Sequence, residues 1–525
     1  MIVEALRRQG STPSKYESCE LADVTVLVGP NNAGKTQTLQ DIRDLVIGSD
    51  EPLIFDTHTF SDLNSLSDYL DQLFVHNEGE DVVIPGQKDR YVSVDRSMWR
   101  RWHTEDIHVQ TNDVLETLGP AIVQFLDAAS RLQLATDITI PEDNSPRSPQ
   151  NMALSLLYRP EHLFQEFRDI FMEVFDVQPI LDYSEQGEIR ICVGDGDRTP
   201  PEHPRELGNF IETNNFVPLS ETGDGFLSFA GVVGSLLVSQ GRLVLLDEPS
   251  AFLHPAQARR LGEWIADAGT TYAEQVVLTT HNANFLNGIL DATTDVAIYR
   301  LNRGSETTTF HKVGRDVAKQ ITEEPILRSQ RVLEAAFRQG AVICEGGSDR
   351  ATYRTVARLV QEETNIQFID SIGKSKVAPI AEVLARANIP VSAIVDLDVF
   401  KNVQEFNQIL RAAGGGLENN EIQHVLHEFN EVKDEIDNSH FDQGIGSLSA
   451  DHQEIVADAI DEAAEYHVYV VPSGAVESWI DLDRSKSVWV EKALEVIADG
   501  DCPEDLEKFV GRTIADVQTQ YRSTT

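Results

Sequence analysis

At 525 residues the chain exceeds a single typical core and predicts two to three domains. Its 86 acids against 43 Lys and Arg give a net charge of −43, a balance that suits a high-salt cytoplasm and makes any nucleic-acid contact depend on local cations or bound metal. No apolar run reaches the roughly 18 residues of a membrane span, the opening MIVEALRRQGSTPS has no leader-like apolar core, and the scattered Cys19, Cys192, Cys344 and Cys502 suggest neither a disulfide framework nor a zinc site, so the expected setting is a reducing cytoplasm.

Residues 1–48 read as strand, strand, loop, helix. The apolar strand Val24–Val28 runs into Gly29-Pro30-Asn31-Asn32-Ala33-Gly34-Lys35-Thr36, which is G-x-x-x-x-G-K-[ST] between a strand and a helix. The glycines let the main chain wrap a polyphosphate with its N–H groups inward. Lys35 supplies charge for the outer phosphates and Thr36 a hydroxyl for Mg²⁺. The helix from about Lys35 to Ile47 aims its positive end at the same place. Gly29, Asn31, Asn32, Ala33, Gly34, Lys35, Thr36 and Gln37 form the expected nucleotide-binding set.

Residues 49–214 are less regular. The pattern predicts a helix at Asp62–Phe74, a strand at Arg90–Val94 and a helix over Asn112–Ala135 with Val114, Leu115, Leu118, Ile122, Phe125 and Leu126 as its stripe. A polar, Pro-rich loop follows at Pro141–Gln150, then a helix Leu154–Phe175 broken near Pro160 and a strand Gly187–Val193. No heptads persist long enough for a coiled-coil arm.

Regularity returns near Asn215. Ser220-Glu-Thr-Gly223-Asp224-Gly225 is a Gly-rich turn opening a helix, able to present N–H groups to an anion. The strand Leu243–Leu246 ends in Asp247 and Glu248: the first suits the Mg²⁺ shell, the second the orientation of the attacking water. A helix Pro255–Ala268 and a strand Val276–Thr279 lead to His281, placed to reach a γ-phosphate. A strand Asp295–Asn302 follows.

The order of these pieces resembles the ABC-type ATPases, in which two nucleotide domains sandwich two ATP molecules and the Gly-rich signature of one subunit reaches the γ-phosphate held by the other. The resemblance implies self-association driven by ATP. The chain departs from the family at the signature, where Asp224 stands in place of the more usual Ser.

Residues 316–338 read as a helical connector, and a second α/β unit fills 339–525. Strand Ala341–Cys344 leads to Glu345-Gly-Gly-Ser-Asp349 and a helix through Val360. Ile366–Ile369, the loop with Gly373-Lys374, the helix Val377–Ala387 and the strand Val391–Val395 then lead to Asp396-Leu-Asp398. An acidic, mostly helical insertion occupies 417–465, and Val468–Val471 precedes Gly474-Ala-Val-Glu477. Acids at the C-terminal ends of parallel strands lie where open α/β sheets bind ligands. Clustered without local cations they repel one another, and a divalent metal with hard-oxygen preference, Mg²⁺ or Mn²⁺, relieves that repulsion. Asp349 also suits a helix N-cap, and Lys374 a phosphate contact or a solvated loop.

This pattern resembles a TOPRIM domain, with Glu345 as its signature glutamate and Asp396 and Asp398 as its D-x-D pair. The resemblance implies metal ligands at Glu345, Asp349, Asp396, Asp398 and Glu477, and a phosphate-stabilising lysine after that last glutamate. Lys486 is the candidate, with Lys492 second. An ABC-type ATPase domain with a largely helical insertion, followed by TOPRIM, resembles the OLD (overcoming lysogenization defect) family of nucleases. That likeness implies ATP, metal-dependent DNA cleavage, a homodimer or larger assembly and a defence role against phage or mobile DNA, with a partner protein in that system. Two alternatives stay open: a non-catalytic TOPRIM scaffold on an ATPase switch, and a nuclease acting on RNA.

Overall fold

A computed structural model describes residues 3–9, 16–47, 53–55, 57–60, 82–85, 91–94, 123–135, 138–139, 156, 161–185, 188–239, 242–293, 295–304, 307–327, 329–414, 426–482 and 486–524. The expected helix at Asp62–Phe74, the loop Pro141–Gln150 and the start of the acidic insertion lie outside them. The chain forms two compact units, Met1–Val28 with Gly34–Tyr299, and Gly29–Ala33 with Arg300–Thr525.

The first unit is built on a parallel sheet in the order Val24–Val28, Gln275–Thr279, Leu243–Asp247, Val123–Leu126. The three longer strands are apolar and almost wholly buried, as parallel strands covered on both faces must be. Val3–Gln9 lies between two antiparallel neighbours, Tyr16–Glu20 and Thr57–Phe60, in a separate sheet. Gln178–Asp182, Glu188–Gly194 and Pro204–Thr213 add two strands and a helix. The expected strand near Arg90 is present at Tyr91–Val94.

One expectation is overturned. The helix predicted over Asn112–Ala135 is, in its described part, the strand Val123–Leu126 followed by the helix Ala128–Leu134. Val123–Leu126 pairs in register with Leu243–Leu246, so sheet hydrogen bonds override the helical spacing of its apolar residues. Asp127 stops the strand and caps the helix by accepting the Ser130 N–H at 2.8 Å.

The second unit holds four parallel strands in the order Ile366–Asp370, Gly340–Cys344, Val391–Asp396, Val468–Val471. Alternate residues of the central strand feed opposite cores: Ala341 and Ile343 face the helices Val377–Arg386 and Val403–Ala413, while Val342 and Cys344 face Gly347–Val360 and Glu504–Ser523. The strand ends therefore form one edge, and every acid singled out in this half sits on or just past it. Among the described residues no helix is long and apolar enough to cross a membrane.

Candidate functional site

The structure groups most of the chemistry-bearing side chains into two centres. In the first, Thr36 opens the helix Lys35–Val46, and its hydroxyl donates to both Asp247 carboxylate oxygens at 3.1 Å. Thr279, at the end of the neighbouring strand, donates to Asp247 Oδ1 at 2.7 Å, and its Oγ1 accepts the Glu248 N–H at 3.0 Å. Glu248 has a left-handed main chain, φ 51°, which turns it out of the strand direction. Its Oε2 accepts the His281 N–H at 3.1 Å and lies 2.7 Å from Nδ1 of the same residue. That hydrogen bond, foremost, raises the His281 pKa above its ordinary value. Lys35 is 8% exposed; burial depresses its ammonium while Glu248 and Asp247 pull the other way.

This arrangement fits a nucleotide triphosphate with Mg²⁺. The helix N-terminus has Gly34 at its cap, φ 95°, with no side chain closing it, so its N–H groups face outward. Gly29, φ 148°, is required by packing: a Cβ there would lie 2.4 Å from the Leu301 carbonyl oxygen. Asn31 and Asn32 are exposed and Ala33 is buried. Gln37 is turned to its own helix, its amide donating to Asp41 at 2.8 Å. Ser220 lies in a single helical turn, Leu219–Glu221, and Gly223 caps the helix Asp224–Leu237 without a side-chain bond. Gly225 follows in its first turn.

Arg131 was not singled out in sequence, although it is fully buried. Its guanidinium donates to the main-chain carbonyls of Asp247, Glu248 at 3.1 Å and Leu126 at 3.2 Å, and its Nε to the Ser228 hydroxyl at 3.3 Å. One side chain thus ties the two acids to the helix that follows the Gly-rich turn. The only sequence signal was a lone basic residue in an apolar stretch.

The second centre is built on the sheet edge of the other unit. Oxygens of Glu345, Asp396 and Asp398 all lie within 4.8 Å of one another. Glu345 Oε1 accepts the Asp396 N–H at 2.9 Å, which fixes the two strand ends together. Ser371 and Gly373 donate to the Glu345 carbonyl at 3.3 and 2.9 Å, and so bring Lys374 over the acids. Its Nζ binds Asp398 and lies 3.7 Å from Glu345. Burial, foremost, pushes Glu345 up to about 7 and Asp396 up to about 8, and the neighbouring acids add to the second shift. Three hard oxygen donors in this space fit one or two divalent cations such as Mg²⁺ or Mn²⁺.

Asp349 lies outside the 4.8 Å cluster, although its charge reaches Glu345 and Asp396, and it accepts the Gly346 N–H at 2.8 Å at the start of its own helix. Glu477 lies on a helical turn, Val476–Trp479, whose lead-in residue Gly474 accepts the Leu397 N–H at 2.8 Å. Its carboxylate is not among the three clustered groups. Lys486 starts the helix Lys486–Ala498, and its side chain lies outside the described residues. Lys492 pairs with Glu495.

Comparisons with known proteins find two separate family matches along the chain. Residues 24–287 match the family described as "AAA domain, putative AbiEii toxin, Type IV TA system", and residues 337–398 match "Overcoming lysogenization defect protein-like, TOPRIM domain". No curated protein matches. Among solved structures, the head of an Smc protein bound to the C-winged helix domain of ScpA aligns at 14% identity and TM-score 0.38, over 61% of this chain and 100% of that one. The SMC head domain from Thermotoga maritima aligns at 13% and 0.32, over 60% and 100%. The cbiO1 subunit of a Clostridium perfringens ABC transporter complex aligns at 13% and 0.25, over 57% and 82%.

Proposed function

The chain belongs to the OLD family, an ABC-type P-loop ATPase domain followed by an OLD-like TOPRIM domain, and on that footing we propose that it is an ATP-hydrolysing, divalent-metal-dependent DNA endonuclease acting in defence against phage or other mobile DNA. The observation that carries the nuclease half is the convergence of Glu345, Asp396 and Asp398 on one pocket at the strand edge.

In the ATPase centre Lys35 and the loop N–H groups bind the phosphates, while Thr36 and Asp247 hold the Mg²⁺ of the nucleotide. Glu248 orients the attacking water, and His281 keeps that carboxylate aimed through the bond at 2.7 Å. Two copies associate through their ATPase domains, with Ser220, Gly223 and Gly225 of one facing the nucleotide of the other.

In the TOPRIM centre Glu345, Asp396 and Asp398 hold the metal, with Asp349 and Glu477 behind them. The bound cation supplies charge neutralisation at the phosphate and activation of water. With a cation held there, Lys374 would be free to pair with a phosphate oxygen, and Lys486 would stabilise charge on the cleaved phosphate.

Purified protein with Mg²⁺ or Mn²⁺ is expected to nick or cut plasmid DNA. Glu345→Gln and Asp396→Asn are each expected to abolish cutting while leaving ATP hydrolysis intact. Cutting that survives both substitutions rejects the assignment.

A further inference from the structure

The second unit contains a cleft of about 660 Å³ that the metal centre does not use. One wall is a face of the helix Glu504–Ser523, where Asp505, Lys508, Phe509 and Arg512 recur at i, i+3, i+4 and i+7. Trp479 packs against that face, its ring 5.3 Å from that of Phe509. The Ser473 hydroxyl on the lining is buried and meets no hydrogen-bond partner among the described residues.

The cleft is lined by two cations, Lys508 and Arg512, and one acid, Asp505. Lys508 pairs with Glu504 at 2.6 Å and Arg512 with Asp461 at 2.9 Å, all four side chains being exposed. Exposed pairs of this kind add little and exchange readily for a phosphate oxygen.

The position matters as much as the lining. Val471 pairs in register with Asp396, and Pro472 and Ser473 follow it directly into the cleft. The next residue, Gly474, takes the N–H of Leu397, between Asp396 and Asp398. Cleft and carboxylates therefore share one edge of one sheet.

We propose that this cleft holds a single-stranded polynucleotide segment beside the bond presented to the carboxylates. Bases lie against Trp479 and Phe509, and phosphates meet Lys508 and Arg512, the combination of ring faces and cations that binds unpaired strands. A duplex keeps its base faces stacked inside and leaves the two rings without a role. The assignment rests on the nuclease reading, and the test separates the two.

Full-length protein in EDTA, where no cutting occurs, is mixed with 5-iodouracil-substituted DNA or RNA oligonucleotides and irradiated. Crosslinks are expected at Trp479 or Phe509, and the two sugars identify the preferred strand. Lys508→Ala with Arg512→Ala, both exposed positions, is expected to weaken oligonucleotide binding at least about tenfold and to flatten its salt dependence by about 1.4 in slope. Hydrolysis of bis(p-nitrophenyl) phosphate with Mn²⁺ is expected to be unchanged in that variant. Crosslinks confined to other segments, or unaltered binding, overturn the cleft. Failure of the wild type to hydrolyse either the small diester or DNA, with crosslinks at Trp479 retained, overturns the nuclease reading and leaves the cleft as a strand-binding site.

Discussion

Arg131 donates to the main chain of both acids rather than to their carboxylates, so it sets where those carboxylates start from. Replacing it with Ala leaves buried carbonyls unsatisfied, at about 1–3 kcal/mol each. Arg131→Lys keeps the charge but loses the fork that reaches several carbonyls at once. It is expected to lower the ATP turnover number at least about tenfold while the Michaelis constant moves less, a split visible in steady-state kinetics alongside a thermal melt. On the proposed role of Glu248, Glu248→Gln would remove the group that orients water, so nucleotide binding is expected to persist while hydrolysis falls about 100-fold or more. Glu345 and Asp396, pushed up to about 7 and 8, hold protons at mildly acidic pH that a divalent cation must displace. Mn²⁺ affinity is therefore expected to rise between about pH 6 and about pH 8.5, with proton release on binding. Calorimetry in buffers of different ionisation heat reads both; affinity independent of pH, without proton release, contradicts the burial argument.

At the scale of elements, the helices Ala128–Leu134 and Asp224–Leu237 touch so closely that a Cβ at Gly231 would lie 2.3 Å from the Arg131 carbonyl oxygen. Gly231→Val is expected to force them apart at a cost of about 1–3 kcal/mol, seen as a lower melting temperature with a parallel loss of ATP turnover. This contact was illegible in sequence. The strand Val123–Leu126 has only four residues and runs straight into a helix, so Ile122, Phe125 and Leu126 continue a helical spacing. Only its pairing with Leu243–Leu246, more than a hundred residues away, makes it a strand. The acid-bearing turns were legible for the opposite reason. Apolar strands that end abruptly at Asp247, Glu345 or Asp396 announce both the strand and the edge where it stops. Lys374 could be read as either a phosphate contact or a solvated loop lysine, because its place over the acids comes from bonds of the Ser371 hydroxyl and the Gly373 N–H to the Glu345 carbonyl.

For the molecule as a whole, a net charge of −43 means that self-repulsion opposes the folded state at low ionic strength. The melting temperature is expected to rise steeply with KCl up to molar concentrations, and a flat response would remove the high-salt interpretation. Against that background the Lys374 ammonium is unusual: it sits among carboxylates as an internal counter-cation. A zinc finger collapses when stripped of its ion because nothing else balances the ligands. Here the chain itself offsets part of that charge through Lys374. Chelators should therefore silence the second unit without melting it, and a cell could stockpile the protein intact and dormant, needing no fresh synthesis or refolding to arm it.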